Sequence, residues 1–241
     1  MNLTATQTVG ELAVQSLEAL RMFEERGIDF CCGGQRPLEQ VCRKKGIDAQ
    51  ELLAQVEAME KSQQAPGRDW TGAPLGELIE HIVTTHHAYL RRELPVIQQR
   101  TAKVLAAHGE RHGASLTLLA RVFGEMRAEL ETHMQKEERM LFPAIVQVER
   151  AAAAGRPWLP LPFGRFGNPI EVMEDEHDST GRALEAMRRL AHNYTPPSDA
   201  CNTFRVLYAG LAELEHDLHL HIHLENNILF PRAIALEREA A

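Results

Sequence analysis

Aromatic residues make up only 5% of the 241 residues, and the 16 glycines and 12 prolines fall in clusters. A many-stranded sandwich, which needs turn residues at even spacing, is disfavoured. Cysteine occurs four times, too seldom for a disulfide scaffold of this length. No stretch approaches the roughly 18 apolar residues of a bilayer-spanning helix, so no membrane partner is expected. The start, Met1-Asn2-Leu3-Thr4, has no basic stretch leading into an apolar one. No secretory signal is expected and the chain is placed in the cytoplasm. Positive charge is also short: 26 basic residues against 34 acidic ones leave a net charge of -8, which argues against nucleic acid as a partner. In a reducing compartment the cysteines are thiols, and the adjacent Cys31 and Cys32 are read as reactive rather than structural. The rest of the composition, 44% apolar and 25% charged, is that of a soluble globular chain. Histidine, with twelve residues, is the unusual one.

The patterning is helical throughout, and the expected class is all-α. Thr8-Val9-Gly10-Glu11 has the form of a capping box, and the helix it opens should run to Arg26 and close on Gly27. A loop, 28–37, carries Cys31-Cys32-Gly33-Gly34. A short helix follows from Pro37 to about Gly46, and a third, capped by Asp48, to about Gln63. Residues 1–63 thus form a small helical domain, and 64–73, rich in proline, glycine and polar residues, a linker. Residues 74–241 hold four long amphipathic stretches, at about 74–107, 114–151, 169–193 and 198–238. Four such stretches most simply make an antiparallel four-helix bundle.

Inside the bundle the pattern His-x-x-x-Glu-x-x-x-Leu-Phe-Pro occurs twice, from His133 to Pro143 and from His221 to Pro231. Residues four apart on a helix lie roughly 5–6 Å from each other on one face, so each His/Glu pair can grip one centre. Both pairs are in phase with apolar stripes: Leu119, Met126, Leu130, His133, Glu137 and Leu141 in one, Leu211, Leu214, Leu218, His221, Glu225 and Leu229 in the other. Both glutamates therefore aim at the core, where an unpaired carboxylate costs several kcal/mol. Bound dications remove that cost. The other two helices each carry a histidine in phase with their apolar positions, His87 and His177. His86 is the rival of His87 but has Glu93 rather than Leu94 seven residues on. Four imidazoles and two carboxylates are too many for one tetrahedral zinc, and a glutamate can bridge, so the set points to a dinuclear centre. Nitrogen and oxygen donors without thiolate suit iron or manganese and leave zinc open. Iron is the expected metal, with coordination incomplete enough for an oxo or hydroxo bridge and an external ligand. His81, His216, His219 and His223 are assigned to solvent or to a supporting layer, Glu129 to the surface, Glu176 to the edge of the pocket, and Cys42 and Cys201 to the core.

These residues, together with Asp29-Phe30-Cys31-Cys32-Gly33-Gly34, Met173-Glu174-Asp175-Glu176-His177-Asp178 and Leu224-Glu225-Asn226-Asn227, resemble the hemerythrin-like repair of iron centres family, of the YtfE/ScdA type, across nearly the whole chain. The resemblance implies a non-haem di-iron centre held by His87, His133, His177 and His221 and bridged by Glu137 and Glu225. It also implies that the protein repairs iron-sulfur clusters damaged by nitrosative or oxidative stress, acting as an iron donor more than as a turnover enzyme. Its partners would be proteins with damaged clusters, with nitric oxide or oxygen as small ligands. A module that captures nitric oxide or oxygen, and a di-iron reductase of nitric oxide or peroxide, are the competing functions. Cys31 and Cys32 are expected to dock the recipient, pass iron or sense redox state. Oligomeric state, a homodimer included, is left open.

Overall fold

Thr8 opens the first helix by reciprocal capping: its hydroxyl accepts the Glu11 amide at 3.2 Å, and the Glu11 carboxylate accepts the Thr8 amide at 2.9 Å. The computed structural model describes residues 3–62 and 69–239. In it the single helix expected from Thr8 to Arg26 is two, α1 (Val9–Gln15) and α2 (Leu17–Glu25). Ser16 makes the break. Its backbone is extended, at φ −144° and ψ 118°, and its buried hydroxyl caps α2 by accepting the Ala19 amide, the local bond that makes serine a poor interior helix residue and a good cap. Gly27 and Gly46 end α2 and α3 (Leu38–Lys45) at positive φ, as expected. Asp48 caps α4 (Ala49–Ser62) through the Gln50 and Glu51 amides. Gln63, the expected end of that helix, and residues 64–68 of the expected linker lie outside the described residues. The remainder of that segment is tied to the bundle: Trp70 stacks on His81, and Arg232 donates to the Trp70 and Ala73 carbonyls.

The bundle consists of α5 (Leu75–His81), α6 (Ala88–Lys136), α7 (Phe142–Ala153), α8 (Gly167–Leu190), α9 (Asn202–Leu224) and α10 (Phe230–Glu239). A straight helix of the 49 residues of α6 would be about 74 Å long. Yet His87, just before it, bonds Glu138, just after it, at 2.6 Å, and Gln98 lies against Gly124. The chain therefore doubles back within α6, about Gly109 to Gly113. The two legs expected on either side of residues 108–113 are present. The turn between them stays helical in its hydrogen bonding and has no residue at positive φ. Among the described residues there is no β-strand, only an isolated bridge between Thr8 and Pro37.

Three widened turns of π type interrupt the legs, at Ile82–His87, Glu137–Leu141 and Glu225–Leu229. The last two have a cause in the sequence. Pro143 and Pro231 lack an N–H and crowd the carbonyl four residues back. The amides of Phe142 and Phe230 reach five residues back instead, to the Glu137 and Glu225 carbonyls. The Leu-Phe-Pro ending of the repeat thus sets a π-turn that starts at each glutamate, an irregularity that periodicity alone does not predict.

Three apolar clusters stabilise the molecule. One fills the bundle from Leu90 to Met134 and from Leu184 to Leu218. A second gathers Leu75–Ile82, Leu141–Val148 and Leu224–Ala233. In sequence His87, Glu137, His177 and His221 fall between these two sets, and His133 and Glu225 sit at their adjoining edges, beside Met134 and Leu224, so the site is a polar layer between two apolar ones. The third cluster is built from α1 to α4 and continues into the bundle through Ile222 of α9. Close packing at that junction depends on two glycines. The Gly10 amide donates to the Gly34 carbonyl at 2.8 Å, and a Cβ on Gly34 would meet the Phe30 carbonyl at 2.6 Å and the Gly10 Cα at 3.2 Å. Backbone cannot rotate away as a side chain can. Gly34→Ala is expected to cost about 1–3 kcal/mol, read as a lower urea midpoint with an unchanged slope.

Candidate metal centre

The six residues singled out by phasing converge on one buried layer. His133 is in the last turn of α6 and His221 in the last turn of α9. Glu137 and Glu225 open the π-turns that follow, His87 closes the first π-turn, and His177 projects from the middle of α8. Their donor atoms form two sets, His87, Glu137, His221, Glu225 and His133, Glu137, His177, Glu225, each within 4.8 Å. Both glutamates belong to both sets, one oxygen to each. Glu137 presents Oε2 to His87 and Oε1 to His133, both at 3.4 Å. Glu225 presents Oε1 to His221 at 3.0 Å and Oε2 to His177 at 3.1 Å. The imidazoles pair in the same way, Nε2 to Nε2, at 3.2 Å for His87 and His221 and 3.0 Å for His133 and His177.

Those separations test the fit. Two donors about 2.1 Å from one cation stand about 3.0 Å apart at a right angle and about 3.4 Å apart at the tetrahedral angle. All six distances fall between these values. Both glutamates are fully buried, and both oxygens of Glu137 and Oε2 of Glu225 have no hydrogen-bond partner, a costly arrangement unless a cation satisfies them. The donor set fits a pair of divalent cations.

Burial and the Glu225 charge both oppose ionisation of Glu137, but His133 and His87 hold its pKa below the usual carboxylate value. Burial likewise opposes ionisation of Glu225, and His221 and His177 hold it well below. The imidazoles respond unequally. Burial pulls His133 down, yet the Glu137 carboxylate lifts it to about 10, and His87 rises for the same reason. His221 is pushed down by burial.

Comparison with known proteins gives the site a context. Residues 78–233 match the model of the hemerythrin HHE cation binding domain, and residues 5–60 match ScdA_N, described as a domain of unknown function (DUF542). The iron-sulfur cluster repair protein YtfE of Pectobacterium carotovorum subsp. carotovorum is 41% identical over 232 residues, covering 95% of this chain and 96% of the relative. The chain belongs to the YtfE family of iron-sulfur cluster repair proteins. The same-named proteins of Cronobacter sakazakii and Escherichia coli O157:H7 are 39% and 37% identical, each covering 96% of this chain and 98% of the relative. All six convergent residues lie inside the cation-binding match.

A second layer orients the imidazoles, and the sequence revealed it only in part. The His87 Nδ1 bonds Glu138, which Arg91 also grips, at 2.6 Å each. The His133 Nδ1 bonds Glu176 at 2.9 Å, and Lys136 holds that carboxylate from the other side. The His133 and Lys136 bonds depress Glu176 to about 2. The His177 Nδ1 donates to the Asn226 Oδ1 at 2.7 Å, which fixes the ring with its Nε2 turned into the layer. The His221 Nδ1 is buried without a partner, its ring stacked on His86. His86 is turned to Asp217 at 2.9 Å and joins neither set. Of these supporting residues, the sequence marks Glu176, by its position beside His177. Glu138 and Asn226 were missed, although each directly follows a core glutamate. Glu129 bonds Ser179 on an exposed face.

Asn226 and Asn227 also join the bundle to the cysteine loop. Asn226 donates to the Cys31 carbonyl at 3.3 Å, and Asn227 donates to the Phe30 carbonyl at 3.0 Å and to the His223 Nδ1 at 2.9 Å. His223 is buried under that loop, and burial drives its pKa down to about 4. His219 sits edge-on to Phe30, and His216 bonds Glu24 from an exposed position. Cys31 and Cys32 are free thiols 3.7 Å apart, and the Cys32 Sγ lies 3.4 Å from the His177 carbonyl. The hydrogen bond with Cys32, burial and the nearby negative groups raise the Cys31 thiol well above its ordinary pKa. Cys42 is buried as expected, but Cys201 is exposed. It precedes α9 at the far end of the bundle, where its bond to His108 lowers its pKa to about 7.

Proposed function

We propose that His87, His133, His177, His221, Glu137 and Glu225 hold two non-haem iron ions, and that the protein restores iron-sulfur clusters damaged by nitrosative or oxidative stress by donating iron. The supporting observation is the sharing of both carboxylates between two donor sets of like composition. One dication would leave half of the imidazoles without a role. Bound iron supplies coordination positions that the six side chains leave open. The chain's own residues govern how firmly the ion is held. Asn226, Glu138 and Glu176 aim His177, His87 and His133, and the surrounding apolar layers exclude water. Imidazole binds a cation only when neutral, so a proton returning to His133 or His87 loosens the grip on the cargo. The recipients are proteins with damaged clusters, and the site of action is the cytoplasm.

The reading is tested by adding anaerobic, iron-loaded protein to a dehydratase whose cluster has been damaged by nitric oxide. Reactivation is expected to be faster than with an equal amount of free ferrous iron. Equal rates would refute donation. Stoichiometric nitrosyl formation with all iron retained would move the function to capture of nitric oxide.

A further inference from the structure

A second group of ligand atoms lies outside the histidine and glutamate layer. Asp29, Cys31 and Cys32 each place one ligand atom within 4.8 Å of the others. We propose that this loop is a separate cation site for a divalent ion of tetrahedral preference, with two thiolates and one carboxylate as ligands and the fourth position open to the cleft beside it. In the iron-donor reading, on which only its role depends, the ion is ferrous iron on its way to a recipient.

The distances carry the assignment. Two thiolates bound at about 2.3 Å to a tetrahedral ion stand about 3.8 Å apart, and a thiolate and a carboxylate oxygen bound at about 2.3 and 2.0 Å stand about 3.5 Å apart. The Sγ atoms are 3.7 Å apart, and the Cys31 Sγ is 3.5 Å from the Asp29 Oδ1. The carboxylate is fixed in place. Its Oδ1 accepts the amides of Cys31 and Cys32, and its Oδ2 the amide of Gly33. Glycine is needed there because a Cβ on Gly33 would come within 2.8 Å of Oδ2. A second glycine, Gly181 of α8, makes room for the other sulfur: a Cβ on it would sit 3.1 Å from the Cys32 Sγ.

A disulfide does not compete for these thiols. Adjacent Cα atoms are about 3.8 Å apart, short of the roughly 4.4–6.8 Å that a disulfide spans. Both sulfurs line a cleft of about 610 Å³ between the cysteine loop and α8, with Arg36, Lys45 and Arg182 also on its walls. The opposite side of the loop reaches the buried layer through the bond from Asn226 to the Cys31 carbonyl and the contact of the Cys32 Sγ with the His177 carbonyl. Binding changes no oxidation state. The ion replaces two thiol protons, which leave to solvent.

The test uses iron-loaded full-length protein carrying Cys201→Ser, which removes the exposed competing thiol, and titrates it anaerobically with Co(II) alone. One equivalent is expected to give an intense thiolate-to-cobalt charge-transfer band with the visible bands of a tetrahedral ion. The histidine and glutamate layer contains no sulfur and cannot produce that band. Cys31→Ser with Cys32→Ser should abolish it. Gly181→Ala, which keeps every ligand but displaces one, should weaken binding about 10- to 100-fold. Absence of the band at excess Co(II), or its survival in the double serine variant, would overturn the site. If the serine variant fails to fold, alkylation of the wild-type protein decides: Zn(II) should slow modification of Cys32, and an unchanged rate would refute the proposal. The cobalt site can fail while iron-loaded protein still reactivates a damaged dehydratase, and the reverse can hold, so the two readings are separable.

Discussion

Alanine in place of Glu225 is expected to strip the protein of both metal ions, whereas alanine in place of His87 should strip it of one. The difference follows from membership of the two donor sets. Glu225 contributes one oxygen to each, and His87 contributes one nitrogen to the first set only. Losing a supporting residue beyond the ligands costs about 10- to 100-fold in metal affinity, and loss of a ligand common to both ions should exceed that range. Glu137→Ala should behave as Glu225→Ala does. His87→Ala leaves His133, His177, Glu137 and Glu225 in place. Metal per chain, measured by plasma emission on anaerobically purified protein, should read near zero for either glutamate variant and near one for His87→Ala, against two for the wild type. Far-ultraviolet circular dichroism should be almost unchanged in all of them, because the apolar clusters on either side of the layer do not include the ligands. A Glu225→Ala protein that keeps two ions would refute the shared-carboxylate centre.

The convergence of the six side chains was legible because a polar layer inside a helical core follows the same phase as helix packing. A histidine or glutamate in phase with leucines must face the core, and a charged group in the core needs a counter-ion. His87 was separated from His86 by one residue of phase, Leu94 against Glu93, and the rings indeed part there: His87 turns to the shared layer and His86 to Asp217. Features that depend on a single local bond were not legible. Ser16 has the same helical periodicity around it whether it continues a helix or breaks one, and only the cap it gives to Ala19 decides. The π-turns were written in the Leu-Phe-Pro repeat, yet a proline six residues beyond a core glutamate reads equally well as an ordinary helix start. Cys201 was assigned to the core on residue type alone, since cysteine is among the residues most often buried. Its neighbour His108 is 93 residues away in sequence, and no pattern along the chain brings the two together. Glu138 and Asn226 present a polar residue after a glutamate, which usually means a solvated face.

Metal-free protein should become less stable as pH rises from about 6.5 towards 10, while metal-loaded protein should not. The sign comes from His133. The Glu137 carboxylate raises its pKa from 6.5 to about 10 against the pull of burial, so over that interval the folded chain binds a proton that the unfolded chain has released. Stability from this group is complete below about 6.5 and is lost as pH climbs through 10. His87, also raised, adds in the same direction. Glu137 and Glu225 have lowered values, so their contribution is complete above about 4.5 and is lost on further acidification. His221 and His223 are lowered by burial, so their contribution is complete above about 6.5 and is lost below it, and these groups together place the optimum of the metal-free protein near about 6.5.

Metal reverses the slope on the alkaline side. A cation must displace the protons on His133 and His87, so each displaced proton strengthens binding about ten-fold per pH unit, and the added stability follows as about 1.4 kcal/mol per unit at saturating metal. Tm measured anaerobically with and without ferrous iron should therefore diverge with rising pH, the metal-free curve falling and the loaded curve holding or rising. His133→Gln should flatten the metal-free curve. Parallel curves in the wild type would mean that the imidazoles of the metal-free layer hold no proton for a cation to displace. The carboxylates would then be the only charges in the layer, and a cation would bind with an affinity independent of pH across the neutral range.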